Sequence, residues 1–387
     1  MIMHKVILFF ILLNILSCTT SSKLDLTFYP KKKITKPEKL DLESIEKDIS
    51  YLTYALRNAY SGYFYKNKLS IDKGINSLQT SLLSIKTINP SSLCELMASS
   101  FRNVRDMHLT FKLGAHRCFE VDELGRVGDR KYSSDNKVYT VKVERHKKYK
   151  VLVIAISHFD SPSSIVWDGM LESINKNVNN VDVVVLDVRG NGGGDDAMGY
   201  QLAKALTGES NIVTPYGNLY KVVTMAGLQS RWNLFSHLSY NAHSSEEERF
   251  FKSYIEKDKE LFINSKNKTE ILDKNIKPIR FSKAIRPTFI LQDKGCGSSC
   301  ESSIDFFEYI KGVLKVGENT AGYVHFGNLG FVLLPESTIQ VNIPSTFNSY
   351  RDGRFIEGIG IKPDIKVEKG DDAYKKALNH FENKISL

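Results

Sequence analysis

Apolar residues recur at helical spacing from Leu40 to Arg105, as in Ile45, Ile49, Leu52 and Leu56 and again in Leu78, Leu82 and Leu83, so this part reads as helices that bury one face. Asn89-Pro90-Ser91-Ser92 interrupts the series and can cap a further helix from Leu93 towards Arg102. The period then changes. Met107 to Leu113 alternates as a strand does, and Val138 to Val143 and Val151 to Ile156 do so more clearly. Helical spacing returns from about Ile165 to Val178, and Val181 to Leu186 is a nearly continuous apolar run that suits a strand covered on both faces. A glycine-rich turn and a helix from Ala197 to Leu206 follow. Ser230 to Lys283, with Trp232, a Glu246-Glu247-Glu248 run and many lysines, reads as helices inserted over the core. Pro287 to Gln292 is a second buried strand, then come a turn over Asp293 to Ser298 and an amphipathic helix from Ser299 to Lys311. The remainder alternates strands and turns and closes in a helix from Ala373 to Glu382. The whole is an α/β pattern, with a helical unit over residues 39–105 and a core over 106–387.

Composition narrows the class without naming a function. At 42% hydrophobic and 25% charged residues the chain is ordinary globular protein, which excludes a disordered, collagen-like or multi-pass membrane protein. The net charge of +9 is spread through segments that also carry acids, as in Glu247 to Glu260. That is a solvated basic surface of a kind that favours anionic membranes, not a nucleic-acid stripe.

The first residues add a location. His4 and Lys5 precede an apolar run from Val6 to Leu16, which as helix covers about 16 Å of a bilayer core of about 30 Å. Residues 1–17 are therefore expected to be an export signal. Ile15-Leu16-Ser17 before Cys18 resembles a bacterial lipobox, which makes Cys18 the expected lipidation site and residues 18–38 a flexible tether. The expected location is the bacterial cell envelope, with a lipid anchor in the membrane. Of the cysteines that remain, Cys94, Cys118, Cys296 and Cys300, the last two bridge each other or stay free; sequence leaves this open. No CxxC pair or HExxH motif accompanies them, so no zinc, other metal or cofactor is expected.

Two turns carry candidate chemistry. Asp187-Val188-Arg189-Gly190-Asn191-Gly192-Gly193-Gly194 lies between a strand and a helix, where backbone N–H groups can meet an anion. A nucleotide phosphate is the obvious competitor, but neither a P-loop nor GxGxxG spacing is present. Gly295-Cys296-Gly297-Ser298-Ser299-Cys300-Glu301 exposes the Ser298 hydroxyl at a helix start, although Ser298-x-x-Glu301 also reads as a capping box. A nucleophilic serine needs a base, and the base an orienting group.

Taken together these segments resemble the C-terminal-processing and tricorn-like serine peptidases, which have a crotonase-like α/β core. Asp187 to Gly194 is similar to the DLRxNxGG signature, with Val188 in place of leucine, and Ser298 falls at the nucleophile position. Val316-Gly317-Glu318-Asn319-Thr320-Ala321-Gly322 resembles VGExTxG, and Glu357-Gly358-Ile359-Gly360-Ile361-Lys362-Pro363-Asp364 resembles EGxGxxPD. The lysine base of the tail-specific branch would stand at Tyr323, so a Ser-Lys dyad there is excluded. Asp106-Met107-His108-Leu109-Thr110 is similar to the histidine segment of the tricorn-like branch. The resemblance thus implies Ser298 as nucleophile, His108 as general base and Glu357 as the group that holds the imidazole, with His325 the rival base. It implies backbone N–H groups of Gly193 and Ser299 as the oxyanion hole, with Gly192 the adjacent alternative; Asp187 and Arg189 hold the turn. The segment Lys112 to Lys148 is too short for the PDZ domain that many tail-specific members carry there. The implied activity is hydrolysis of peptide bonds in peptides or unfolded proteins. The other reading is an inactive peptide-binding lipoprotein with the same fold.

Overall fold

The computed structural model describes residues 37–118, 138–159, 164–242, 244–274, 278–368 and 370–385. The expected export signal, Cys18 and the tether up to residue 36 lie outside the described residues.

The amphipathic N-terminal stretch folds as β1 (Leu40–Asp41), α1 (Leu42–Asn58), α2 (Ser61–Tyr65), α3 (Lys68–Leu82), β2 (Thr87–Ile88) and α4 (Pro90–Ser100). Asp41 caps α1 by accepting from Ser44 N, and Asn89 caps α4 by accepting from Ser92 N, with Pro90 where no helical donor is needed. The helix period puts Ile45, Ile49, Leu52 and Leu56 on one buried stripe.

Then follow β3 (Thr110–Leu113), β4 (His116–Arg117), β5 (Tyr139–His146), β6 (Tyr149–Ile156), α5 (Ser164–Asn177), β7 (Val183–Asp187), α6 (Asp196–Thr207) and β8 (Tyr216–Val222). Next are α7 (Met225–Tyr240), α8 (Ser245–Asn264), β9 (Thr269–Lys274), β10 (Ser282–Gln292), α9 (Ser299–Asp305) and β11 (Ile310–Gly317). The chain ends with β12 (Phe326–Leu333), β13 (Gln340–Tyr350), β14 (Ile365–Lys366) and α10 (Ala373–Ile385).

One sheet runs β14-β11-β10-β7-β6-β5, parallel except for β5. Its strands are added in one direction, so right-handed crossovers put their helices on one face. Val184 and Leu186 of β7 face that layer, together with Met170, Leu202 and Ile304 from α5, α6 and α9. Val183 and Val185 face the other side, which Ala377, Leu378 and Phe381 of α10 cover. Burial on both faces is why these strands read as continuous apolar runs. A second, antiparallel sheet is ordered β4-β3-β13-β8-β9, with β12 also on β13. Ile339, Val341 and Ile343 bury its face against Leu52, Leu56, Leu78 and Met97 of the helical unit.

Three expected elements differ. The helix expected over Ser299 to Lys311 stops at Asp305, because the parallel ladder with β10 takes up the chain from Ile310. The strand expected from Met107 begins at Thr110, since Asp106 folds the preceding residues into a turn by accepting from His108 N. The insertion over Ser230 to Lys283 is helical only in part: β9 pairs with β8, an alignment set by tertiary contact rather than by local pattern. Among the described residues no helix is long and apolar enough to cross a membrane.

Candidate active site

Strands β7 and β10 are parallel neighbours, so the turns that leave their C-terminal ends lie side by side at one edge of the sheet. Buried Asn191 ties them. Its Oδ1 accepts from Gly193 N, its Nδ2 donates to Ile156 O on β6, and its carbonyl accepts from Gly297 N beside Ser298. A side chain at Gly193 (φ 110°) would stand 2.9 Å from both Gly297 O and Ser298 Cβ, so only glycine lets the two turns meet.

Ser298 occupies the start of α9 with φ 54° and ψ −125°, a conformation costly for any residue with a Cβ. Its side chain makes no capping bond. Of the expected capping box only the other arm forms, with the Glu301 carboxylate turned to the backbone N–H of Ser298. The hydroxyl is directed instead at His108, whose Nε2 lies 3.2 Å from Ser298 Oγ. His108 is fixed by the Asp106 turn that precedes β3. Burial, and then the charge of Arg117, push its pKa down to about 4, so the imidazole is neutral and able to accept a proton at neutral pH.

The other implied residues sit as follows. Tyr323, in the vacated lysine position, sets its ring edge-on to His108 at 5.5 Å, and its N–H donates to Glu301. His325 has both ring nitrogens engaged: Nδ1 donates to Asn348 O at 2.7 Å and Nε2 accepts from Ile356 N at 2.9 Å. Those two bonds fix a neutral tautomer with no lone pair left for a serine proton, and burial lowers its pKa to about 4. Glu357 is buried and its Oε2 accepts from His325 N at 3.1 Å. It does not hydrogen-bond the imidazole of His108, whose Nδ1 has no hydrogen-bond partner among the described residues. Glu357 Oε2 thus holds the backbone N–H of the rival histidine, which the turn after β11 brings alongside it.

The N–H of Ser299, first in its helix, has no intrahelical acceptor. The N–H of Gly193 is already donated to Asn191, whereas no hydrogen bond among the described residues takes the N–H of Gly192. Asp187 and Arg189 form a bidentate pair across the turn. Cys296 and Cys300 are joined in a disulfide that encloses Gly297, Ser298 and Ser299, and Cys94 is joined to Cys118. Among the described residues no cluster of three His, Cys, Asp or Glu could hold a metal ion.

Sequence reasoning passed over Asn191, Tyr60 and Asn67. Asn191 stood inside a quoted motif, and its position in a run of glycines was the available signal. Tyr60 and Asn67 carried none, since only the packing of α2 brings them near His108.

The model of the family described as peptidase family S41 matches residues 150–367, more than half of the chain. The chain belongs to that family. This S41 peptidase is accordingly a serine peptidase acting on peptides or proteins. Its fold is similar to that of mature CPAF complexed with lactacystin, at 13% identity over 89% of this chain and 97% of that one, with a TM-score of 0.58. A putative peptidase from Parabacteroides merdae is similar at 15% identity over 86% and 92%, with a TM-score of 0.53. No curated protein matches this S41 peptidase.

Proposed function

We propose that this protein is an exported, lipid-anchored serine peptidase that cleaves peptide bonds through an acyl-enzyme on Ser298, with a crotonase-like core beside an N-terminal helical domain. The observation that carries the reading is the 3.2 Å approach of His108 Nε2 to Ser298 Oγ at a strained helix start. His108 takes the hydroxyl proton as Oγ attacks the carbonyl carbon, and the tetrahedral oxyanion receives the N–H of Ser299 together with one from the glycine turn. His108 then gives that proton to the leaving amine, and a water molecule activated in the same way releases the acyl group. Glu357, the third triad member by its motif position, is buried and its charge bears on Tyr60 beside the histidine segment, so it would act on His108 without a direct hydrogen bond to the imidazole. The segment Lys112 to Lys148 is too short for a PDZ domain, so there are weak grounds for specificity towards C-terminal tails. Anchoring rests on the lipobox-like residues before Cys18.

A fluorophosphonate probe tests the catalytic part. Labelling of the wild type that disappears in Ser298→Ala is expected; a folded wild type that does not label is a peptide-binding lipoprotein instead. Membrane partition of Cys18→Ala at high salt tests the anchor, since salt screens the basic surface. Undiminished partition would refute it.

A further inference from the structure

Behind His108, on the side away from Ser298, stands a buried polar chain that the Ser-His-Glu reading does not use. Asp106 Oδ1 lies 3.9 Å from His108 Nδ1, and the Asp106 side chain has no exposed surface. Its Oδ2 and His108 Nδ1 are both buried without a hydrogen-bond partner among the described residues. The Tyr60 hydroxyl, from the helical unit, faces the same carboxylate and accepts from Asn67 Nδ2 at 2.7 Å, which leaves its own hydrogen for Asp106. Tyr60 is fully buried, and its phenol pKa is raised well above the ordinary value, so it remains a donor.

We infer that Asp106 is a positioning residue for the catalytic histidine: its carboxylate, which the Tyr60 hydroxyl faces, orients the Nδ1–H tautomer of His108 and stabilises the imidazolium formed when Ser298 loses its proton. The inference rests on the Ser298–His108 reading. In the base form Nε2 must carry the lone pair, so the ring hydrogen is on Nδ1, where Asp106 is the acceptor. When Nε2 takes the serine proton the ring becomes a cation facing a buried anion; no proton passes to Asp106. At 3.9 Å the pair is longer than a hydrogen bond, and catalytic hydrogen bonds that are long in the free enzyme commonly tighten in the reacting complex. The groups that face His108 are Asp106 on its own segment, Arg117 on β4, the Tyr323 ring and Ser298; Tyr60 reaches it through Asp106. Burial raises the Asp106 pKa above the usual carboxylate range, and the Tyr60 hydroxyl opposes that rise.

The test is the second-order rate of fluorophosphonate labelling of the full chain as a function of pH. In the wild type the acid limb follows ionisation of Asp106. Asp106→Asn keeps the oxygen that accepts His108 N but removes the charge, so the plateau rate should fall ~10²-fold. Its acid limb should move to lower pH, since only the depressed histidine titration is left. Tyr60→Phe removes the hydroxyl that faces Asp106 and opposes the rise of its pKa, so it should move the limb the opposite way, to higher pH. A lower plateau in Asp106→Asn with an unmoved limb, or a wild-type rate, overturns the inference. Should Asp106→Asn fail to fold by circular dichroism, Tyr60→Phe decides, and an unmoved limb overturns it. Ser298→Ala and His108→Ala serve as controls: if either labels like the wild type, the Ser298–His108 reading itself has failed.

Discussion

Thr320 Oγ1 donates to the buried Glu301 carboxylate at 2.5 Å and accepts from Ile361 N at 2.6 Å. One hydroxyl therefore joins three separate segments: the helix that starts at Ser299, the VGENTAG turn and the EGIGIKPD turn. Glu301 also accepts from the N–H groups of Gly322 and Tyr323, and these bonds keep a buried carboxylate satisfied. A Cβ at Gly322 would come within 2.5 Å of Gly360 N, so the glycines of the two motifs allow the contact on which this network depends.

Thr320→Val, which keeps the shape and removes the hydroxyl, should lower stability by about 1–3 kcal/mol and reduce activity through the α9 start. Denaturant unfolding checks the first and probe labelling the second. Wild-type stability in the variant would show that the Glu301 network does not hold the turn.

His108 and His325 separate on the same two measurements. His108→Ala should cut kcat/KM by several orders of magnitude, as far as Ser298→Ala does, because such groups act as a unit. His325→Ala breaks two bonds to backbone in a buried aromatic cluster of Phe347, Tyr350 and Phe355. It should cost about 1–3 kcal/mol of stability and leave the pH profile of the remaining activity in place. Loss of turnover in a stable His325→Ala, with His108→Ala still active, would move the base to His325.

Asp305 predicts the pH dependence of stability. It accepts from the Tyr216 and Tyr350 hydroxyls, and burial raises its pKa to about 7. The unfolded chain releases that proton near pH 4, so between about 4 and 7 the native state binds more protons and stability falls as pH rises. The loss from this group is on the order of a few kcal/mol. Asp305→Asn should flatten that slope in thermal melts taken at pH 5 and pH 8; an unchanged slope would exclude Asp305 as its source.

The Cys296–Cys300 bridge is buried at both ends and closes a very short loop around Ser298. A loop that short removes little entropy from the unfolded chain, so its effect should fall on the turn more than on the global fold. The Cys296→Ala/Cys300→Ala pair should label with the probe about tenfold more slowly, a barrier change of about 1.4 kcal/mol, with only a small shift in Tm. Mild reductant should leave the native enzyme active because it does not reach the sulfurs. Full activity in the double variant would mean that the bridge does not shape the site.

Periodicity alone determined the local elements whose burial is one-sided or complete. The stripe Ile45, Ile49, Leu52, Leu56 and the runs ending at Leu186 and Gln292 could be read because their packing demands repeat every 3.6 or every two residues. The motifs likewise led to Ser298 and His108, since backbone-close turns restrict which residues fit. What depends on partners distant in the chain was out of reach. Helix α9 stops at Asp305 because β10 claims the next residues; the Gly193 donor goes to Asn191; and Cys296 meets Cys300, a pairing the spacing left open. The environment of the histidine belongs to this second class. Tyr60 reaches the Asp106–His108 turn only once the helical unit has packed beside β3, and burial there, a property of the assembled fold, lowers the pKa of His108.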